Sequence, residues 1–176
     1  MSSPPTRSAR RVLDTSALMS GRSFEGELFI TEEVLRELRK QGALTPQLEA
    51  FLAVKVRVVS PSRQAEKSIE EASHGTGDAH RLSPTDVGLL ALASELGAAI
   101  VTDDYSIQNL AAEIGVPYEP VQEEGIREVV RWRYRCAGCG KSFAEWHDPC
   151  PVCGAKLHTS RARRNRESNS GQHPSR

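Results

Sequence analysis

The sequence predicts an α/β body built on a parallel sheet flanked by helices, followed by a small module that needs a metal to fold. Short apolar segments alternate with helical segments from Arg11 to Val121, the pattern that builds a parallel sheet. All four cysteines then fall in one later stretch, Cys136-Ala-Gly-Cys139 and Cys150-Pro-Val-Cys153, with ten residues between the pairs. A chain of 176 residues suits one ordinary domain plus a module too short to bury a core of its own.

Arg11-Val-Leu-Asp-Thr reads as the first strand, with a helix starting at Thr15. Leu28-Phe-Ile is an apolar stretch leading into a helix over Glu32 to Lys40, and a further helix covers Pro46 to Val54. Val56 to Val59 is a compact strand, and a helix over Arg63 to Ala72 ends in a loop, His74-Gly-Thr-Gly-Asp-Ala-His. Ser83-Pro-Thr-Asp86 marks a helix start: serine as N-cap, proline in the first turn and an acid at the third position. That helix is apolar nearly all round, which predicts deep packing, and Gly97 ends it. Ala99 to Val101 is a buried strand, Tyr105 to Ile114 a helix ended by Gly115, and Val116 to Val121 an edge strand carrying two prolines. The boundaries read from composition are a disordered extension over 1–10, the body over 11–123, a joint over 124–132, the cysteine module over 133–158 and a disordered basic tail over 159–176. No internal repeat is present.

A glycine follows each Cys-x-x-Cys pair, Gly140 and Gly154, letting each turn take a positive φ while backbone N–H groups face the sulfurs. Two such knuckles set four thiolates for a structural Zn²⁺ at Cys136, Cys139, Cys150 and Cys153. The alternative is two disulfides or two redox pairs. A redox pair, however, sits at a helix start, whereas Trp132-Arg-Tyr-Arg and the intervening Asp-Pro read as strands and turns. Thiols kept for zinc imply a reducing compartment, so a cytoplasmic protein is expected. No apolar run approaches the ~20 residues of a membrane span, and no secretory leader is evident.

Net charge is zero, with 23 basic and 23 acidic residues, yet from Arg127 to Arg166 ten Lys/Arg face three Asp/Glu. An acidic body joined to a basic tail suggests an anionic partner held by the tail, the alternative being a solvated tail with no partner.

Ligands of a parallel sheet bind outside the carboxyl ends of its strands. Four acids fall at that edge: Asp14 after the first strand, Asp103 and Asp104 after the strand Ala99 to Thr102, and Asp86 in the first turn of the buried helix. Each has a plainer reading as a helix cap. Glu37 lies at the border of the stripe formed by Val34, Leu35 and Leu38. Glu32 points slightly further out and Glu33 clearly so. Converging carboxylates raise one another's pKa unless a cation sits between them, and hard oxygen ligands favour Mg²⁺ or Mn²⁺. Such a site suits phosphodiester hydrolysis.

The segments Val12-Leu-Asp14-Thr-Ser-Ala-Leu, Glu33-Val-Leu-Arg-Glu37-Leu, Leu82-Ser-Pro-Thr-Asp86 and Ile100-Val-Thr-Asp103-Asp104-Tyr-Ser-Ile-Gln-Asn resemble the motif set of PIN-domain nucleases. The resemblance implies a catalytic metal site of Asp14, Glu37, Asp86 and Asp104, with Asp103 as the alternative member of the doubled acid. With the four-cysteine ribbon behind it, the chain resembles the ribosome-assembly endoribonucleases of that family from Val12 to Leu157. This implies divalent-metal-dependent cleavage at the 3′ end of small-subunit precursor ribosomal RNA inside the precursor particle, with ribosome-assembly factors as partners. Arg131, Arg133, Arg135, Lys141 and Lys156 would meet phosphates, and Trp132, Tyr134 and Trp146 offer faces for bases, the alternative for Trp132 and Trp146 being to pack around the knuckles. The rivals are a toxin-type PIN ribonuclease acting on transfer or messenger RNA, and a non-catalytic RNA-binding adaptor.

Overall fold

The computed structural model describes residues 9–76, 80–122 and 132–161. Its first unit contains β1 (Arg10–Leu13), α1 (Thr15–Met19), β2 (Glu27–Ile30), α2 (Glu32–Lys40), α3 (Pro46–Lys55), β3 (Val56–Val58), α4 (Arg63–Thr76), α5 (Pro84–Leu96), β4 (Ala99–Val101), α6 (Tyr105–Ile114) and β5 (Tyr118–Glu119). The five strands are all parallel and lie in the order β3-β2-β1-β4-β5. Strand order therefore runs one way from β1 to β3 and the other way from β4 to β5. The reversal falls between β1 and β4, paired Leu13 to Val101, and a crevice opens at such a reversal beyond the strand ends.

The helix starts follow the local chemistry. Ser83 accepts from the Asp86 N–H, and the Asp86 side chain accepts from the Ser83 N–H, so the predicted capping box is present. Gly97 closes α5 at φ 58°, in the left-handed region that a side chain would resist. Thr85 and the run Gly88 to Ala93 are buried, so α5 is the central packing element of this unit. Thr31 and Thr45 cap α2 and α3 through their hydroxyls.

The larger departures from the expected boundaries are three. The strand expected from Val116 to Val121 reduces to Tyr118–Glu119, because Pro117 and Pro120 on either side have no N–H for a ladder. α4 continues to Thr76, four residues past the expected end, since Ile69 and Ser73 continue its buried stripe against α5. Residues 77–79 of the predicted glycine loop lie outside the described residues, as do 1–8, 123–131 and 162–176. Arg10, placed by composition in the extension, is the first residue of β1 and pairs with Glu27.

The second unit is a three-stranded antiparallel sheet, β7-β6-β8, of β6 (Trp132–Cys136), β7 (Ser142–Phe143) and β8 (Leu157–Arg161). It begins one residue before, and ends three after, the span 133–158 read from composition. Tyr134, Cys136, Cys150 and Leu157 are buried, with Phe143, Trp146 and Ala155 packed against them. Among the described residues, no helix is long and apolar enough to cross a membrane.

Candidate active site and metal centre

The chain arranges its acids through its helix caps. Asp14 caps α1: one carboxylate oxygen accepts from the Thr15 N–H at 2.6 Å, and the other from the Ser16 and Thr102 hydroxyls at 3.0 and 2.8 Å. Asp104 caps α6, with Oδ1 accepting from the Ser106 and Ile107 N–H groups. Asp86 accepts from the Ser83 N–H at 2.7 Å through Oδ2. The capping reading is thus correct for all three, and it does not exhaust them. Asp86 and Asp104 each give one carboxylate oxygen to the cap, and their second oxygen makes no hydrogen bond among the described residues.

Glu37 reaches the same group from α2, half-buried at the edge of the Val34 and Leu38 stripe. Its Oε1 accepts from the Thr85 hydroxyl at 2.7 Å and its Oε2 from the Thr15 hydroxyl at 3.1 Å. Thr15 adjoins Asp14, and Thr85 adjoins Asp86. Glu32 is exposed, while Glu33 is half-buried and paired with Arg36 at 3.8 Å, the reverse of the order expected from helix geometry. That ion pair draws Glu33 along the surface of its helix.

Electrostatics agree with convergence. Burial raises the Asp14 pKa above its ordinary 3.8; hydrogen bonds from Thr102, Ser16 and Thr15 oppose the rise, and the charge of Asp104 adds to it. Burial is also the largest influence raising Asp86, opposed by Ser83 and reinforced by Asp104 and Asp14. Among the described residues, the three ion pairs all lie elsewhere and none involves these four acids. Buried carboxylates such as Asp14 and Asp86, with no cation paired to them, are a donor set whose charge a divalent ion would offset. Their oxygens do not close to within 4.8 Å of one another in a group of three, a spacing reached among the described residues only by the cysteines.

Asp103 is occupied differently. Its Oδ1 accepts from the Val121 N–H at 2.7 Å, and both oxygens accept from the Gln122 N–H, so it ties down the segment that follows β5. Asp103→Asn is expected to loosen that segment, read as faster amide exchange at Val121 and Gln122, while changing Mn²⁺ affinity less than twofold. A loss of Mn²⁺ affinity equal to that of Asp104→Asn would return Asp103 to the ligand set.

The cysteine site is built by two matching knuckles. Gly140 N–H donates to the Cys136 carbonyl at 3.1 Å and Gly154 N–H to that of Cys150 at 2.9 Å, with both glycines near φ 70°. The four sulfurs lie within 4.8 Å of one another, at 3.3 Å for Cys136–Cys153 and 3.9 Å for Cys139–Cys150, and none is in a disulfide. Zn–S bonds of about 2.3 Å in a tetrahedron put sulfurs about 3.8 Å apart, which these spacings bracket. The N–H of Cys139 lowers the Cys136 thiol to about 6, while its close neighbour Cys153 is raised to about 11 by Cys136, so without a metal the pair shares its proton unequally. Gly138 is needed for closeness: a Cβ there would sit 2.9 Å from that of Ala155 and 3.2 Å from the Cys153 sulfur.

Arg133, Arg135, Lys141 and Lys156 are exposed, the two arginines on one face of β6, with His158 and Ser160 of β8 beside them. Arg131 lies outside the described residues. Tyr134, offered by the sequence as a face for bases, is 1% exposed and meets Trp146 edge-on at 5.4 Å. It is a core residue, because strand alternation puts Tyr134 on the side of Cys136 and the arginines on the other. Trp132 and Trp146 are half-buried. The hydroxyls of Thr15, Ser16, Thr85 and Thr102 were not singled out in the sequence, although each stands within two residues of a candidate acid.

Residues 12–96 match the family described as the PIN domain of ribonuclease. The chain is 36% identical over 148 residues to the endoribonuclease Nob1 of Pyrococcus abyssi, covering 83% of this chain and 90% of that protein. It is 38% identical over 157 residues to the endoribonuclease Nob1 of Methanocaldococcus jannaschii, covering 84% of this chain and 75% of that protein. It is also 39% identical over 148 residues to a protein of Thermoplasma acidophilum named ribonuclease VapC1, covering 83% and 75%. The chain belongs to the PIN-domain ribonucleases, and within them to the family of the archaeal Nob1 endoribonucleases.

Proposed function

We propose that the protein is a cytoplasmic, divalent-metal-dependent endoribonuclease that matures the 3′ end of small-subunit ribosomal RNA in the precursor particle. The observation that carries the reading is the convergence of Asp14, Glu37, Asp86 and Asp104 at the sheet reversal, linked by neutral hydroxyls with no ion pair among them. These four acids would hold Mn²⁺ or Mg²⁺, and Cys136, Cys139, Cys150 and Cys153 a structural Zn²⁺. A divalent ion bound by the acids makes water a better nucleophile and offsets charge on the leaving oxygen. The chain's own part is geometric. The caps of α1, α5 and α6 fix the three aspartates, and the hydroxyls of Thr15 and Thr85 fix Glu37.

Arg133, Arg135, Lys141 and Lys156 on the ribbon, with Arg131 beside it, would grip RNA through phosphates, which position the substrate without reading its sequence. The match to a protein named ribonuclease VapC1 keeps a second reading, a ribonuclease acting outside the precursor particle, for which transfer and messenger RNA are the substrates to try. Purified protein with Mn²⁺ is to be given precursor RNA spanning the 3′ end of the small-subunit RNA, alongside transfer and messenger RNA. Single-position cleavage of the precursor alone is expected. Cleavage of transfer RNA with the precursor left intact would establish the second reading.

The basic residues from the end of β8 onward give a further expectation. If Arg161, Arg163, Arg164 and Arg166 contact phosphates, log K falls with log salt by ~0.7 per contact on single-stranded RNA. Deleting 159–176 is then expected to flatten the salt slope by up to roughly three units without changing sequence preference. Binding curves at several salt concentrations check this, and identical slopes would assign the grip to the ribbon alone. The deletion removes part of β8, so a second truncation after Arg161 separates loss of charge from loss of the strand.

A further inference from the structure

Glutamate brings its carboxylate to a metal site on a side chain with three rotatable bonds, so a Glu ligand needs something to hold it. Glu37 is the only one of the four acids that caps no helix; its backbone lies well inside α2. Thr85 answers that need. It is 9% exposed, and its hydroxyl donates to Glu37 Oε1 at 2.7 Å, the shorter of the two bonds that Glu37 accepts.

The placement follows from the helix start. A threonine inside a helix usually turns its hydroxyl back onto the carbonyl three or four residues earlier. Thr85 is the second residue of α5, after Pro84, and the residues three and four before it precede the helix. Its hydroxyl is therefore available for another helix. One turn on, Gly88 on the same face of α5 lies beside Thr31, the N-cap of α2, with room for a Cβ that would meet its methyl in ordinary contact at 3.9 Å.

We propose, on the reading that the four acids form a divalent-metal site, that Thr85 is a positioning residue whose hydroxyl sets the carboxylate of Glu37 for the metal. A hydroxyl suits this role better than an ammonium or guanidinium group. It donates a hydrogen bond that favours the ionised carboxylate, yet adds no charge to neutralise it or to repel the cation. Thr85 also adjoins Asp86, so one helical turn carries a ligand and the support of another ligand from a different helix. Partners of this kind typically change metal affinity by 10- to 100-fold when removed.

The test is Mn²⁺ titration calorimetry on the full chain, together with RNA cleavage and RNA binding, for Thr85→Val, Thr85→Ser and Glu37→Gln. Thr85→Val keeps the shape and removes the donor; it is expected to weaken Mn²⁺ binding by roughly tenfold and to lower kcat with KM for RNA unchanged. Thr85→Ser restores the hydroxyl and is expected to recover both. Should Thr85→Val fold poorly, Thr85→Ala compared with Thr85→Ser at equal folded fraction gives the same contrast. Wild-type Mn²⁺ affinity in Thr85→Val, with affinity lost in Glu37→Gln, would overturn the role of Thr85 and leave the metal site standing. No saturable Mn²⁺ binding in the wild-type chain would overturn both.

Discussion

Asp104→Asn is expected to lower RNA cleavage by more than about a hundredfold, beyond what loss of a supporting partner alone costs, and to leave the protein folded with its RNA affinity intact. The substitution is informative because of how Asp104 is used. Asparagine caps helices about as well as aspartate, so Oδ1 can still accept from Ser106 and Ile107. What disappears is the charge, and with it the second oxygen that makes no hydrogen bond among the described residues. A role confined to capping predicts unchanged cleavage by Asp104→Asn. Full activity in a preparation verified by mass spectrometry would sink the assignment. Asp14→Asn should be as damaging to cleavage but harder to interpret, since both of its oxygens hold other groups in place.

Asp86 adds a stability signature with a definite sign. Burial first, and the charges of Asp104 and Asp14 after it, raise its pKa in the fold above 3.8. A carboxyl whose pKa rises on folding stabilises the native state where it is protonated, below its unfolded pKa. That contribution is lost as pH rises through the folded value. At neutral pH the metal-free protein carries this acid at a cost, which a divalent ion at the proposed site would offset. Asp86→Asn, whose amide oxygen can keep the bond from Ser83, is expected to raise the metal-free melting temperature at pH 7, by an amount that shrinks as pH falls toward 3.8. Mn²⁺ should then raise the melting temperature of the wild type and not that of the variant. A lower melting temperature for the variant at pH 7 would mean that the cap outweighs the charge.

The fold was legible where local chemistry decides. Ser83, Pro84, Asp86 and Gly97 bracket α5 because each satisfies or avoids a backbone group within four residues of itself. The edge strand was misjudged at its ends because one missing N–H on each side matters more than apolar content. α4 ran on because burial of Ser73 is a tertiary fact. In the site, which acids reach the sheet edge could be read from strand and helix ends. Which groups hold them could not: Thr85 lies 48 residues from Glu37, and Thr102 lies 88 from Asp14. Periodicity assigns a side chain to a face and says nothing of its neighbour there. The doubled acid is the clearest instance. Asp103 and Asp104 look alike in sequence, and only the N–H groups of Val121 and Gln122 separate their uses. Strand alternation on β6 did hold enough to place Tyr134 with Cys136 rather than with the arginines.

Stripping the zinc, or replacing Cys139 by serine, is expected to unfold residues 132–161 and leave the sheet of the first unit intact. The ribbon's buried set is Tyr134, Cys136, Cys150 and Leu157, half of it the candidate metal ligands, and the apolar Val152 is 51% exposed. Burying a Tyr and a Leu contributes a few kcal/mol at most, against about 1–2 kcal/mol of backbone entropy for each residue ordered. Structural zinc supplies about 10–16 kcal/mol in peptides of this kind, so metal binding and folding become one event. The first unit has a separate core, and the two share no residue. Losing the zinc also lets the sulfurs take up protons, Cys153 being raised to about 11 by its neighbour Cys136, so no common charge then holds the two knuckles together. Amide chemical shifts followed during chelation should therefore collapse for β6, β7 and β8 and hold for β1 to β5. RNA affinity should fall more than Mn²⁺ affinity at the carboxylates, because the exposed Arg133 and Arg135 depend on β6 for their common face. Native ribbon shifts surviving complete zinc removal would show that the strands stand without metal, and the cysteines would need another explanation.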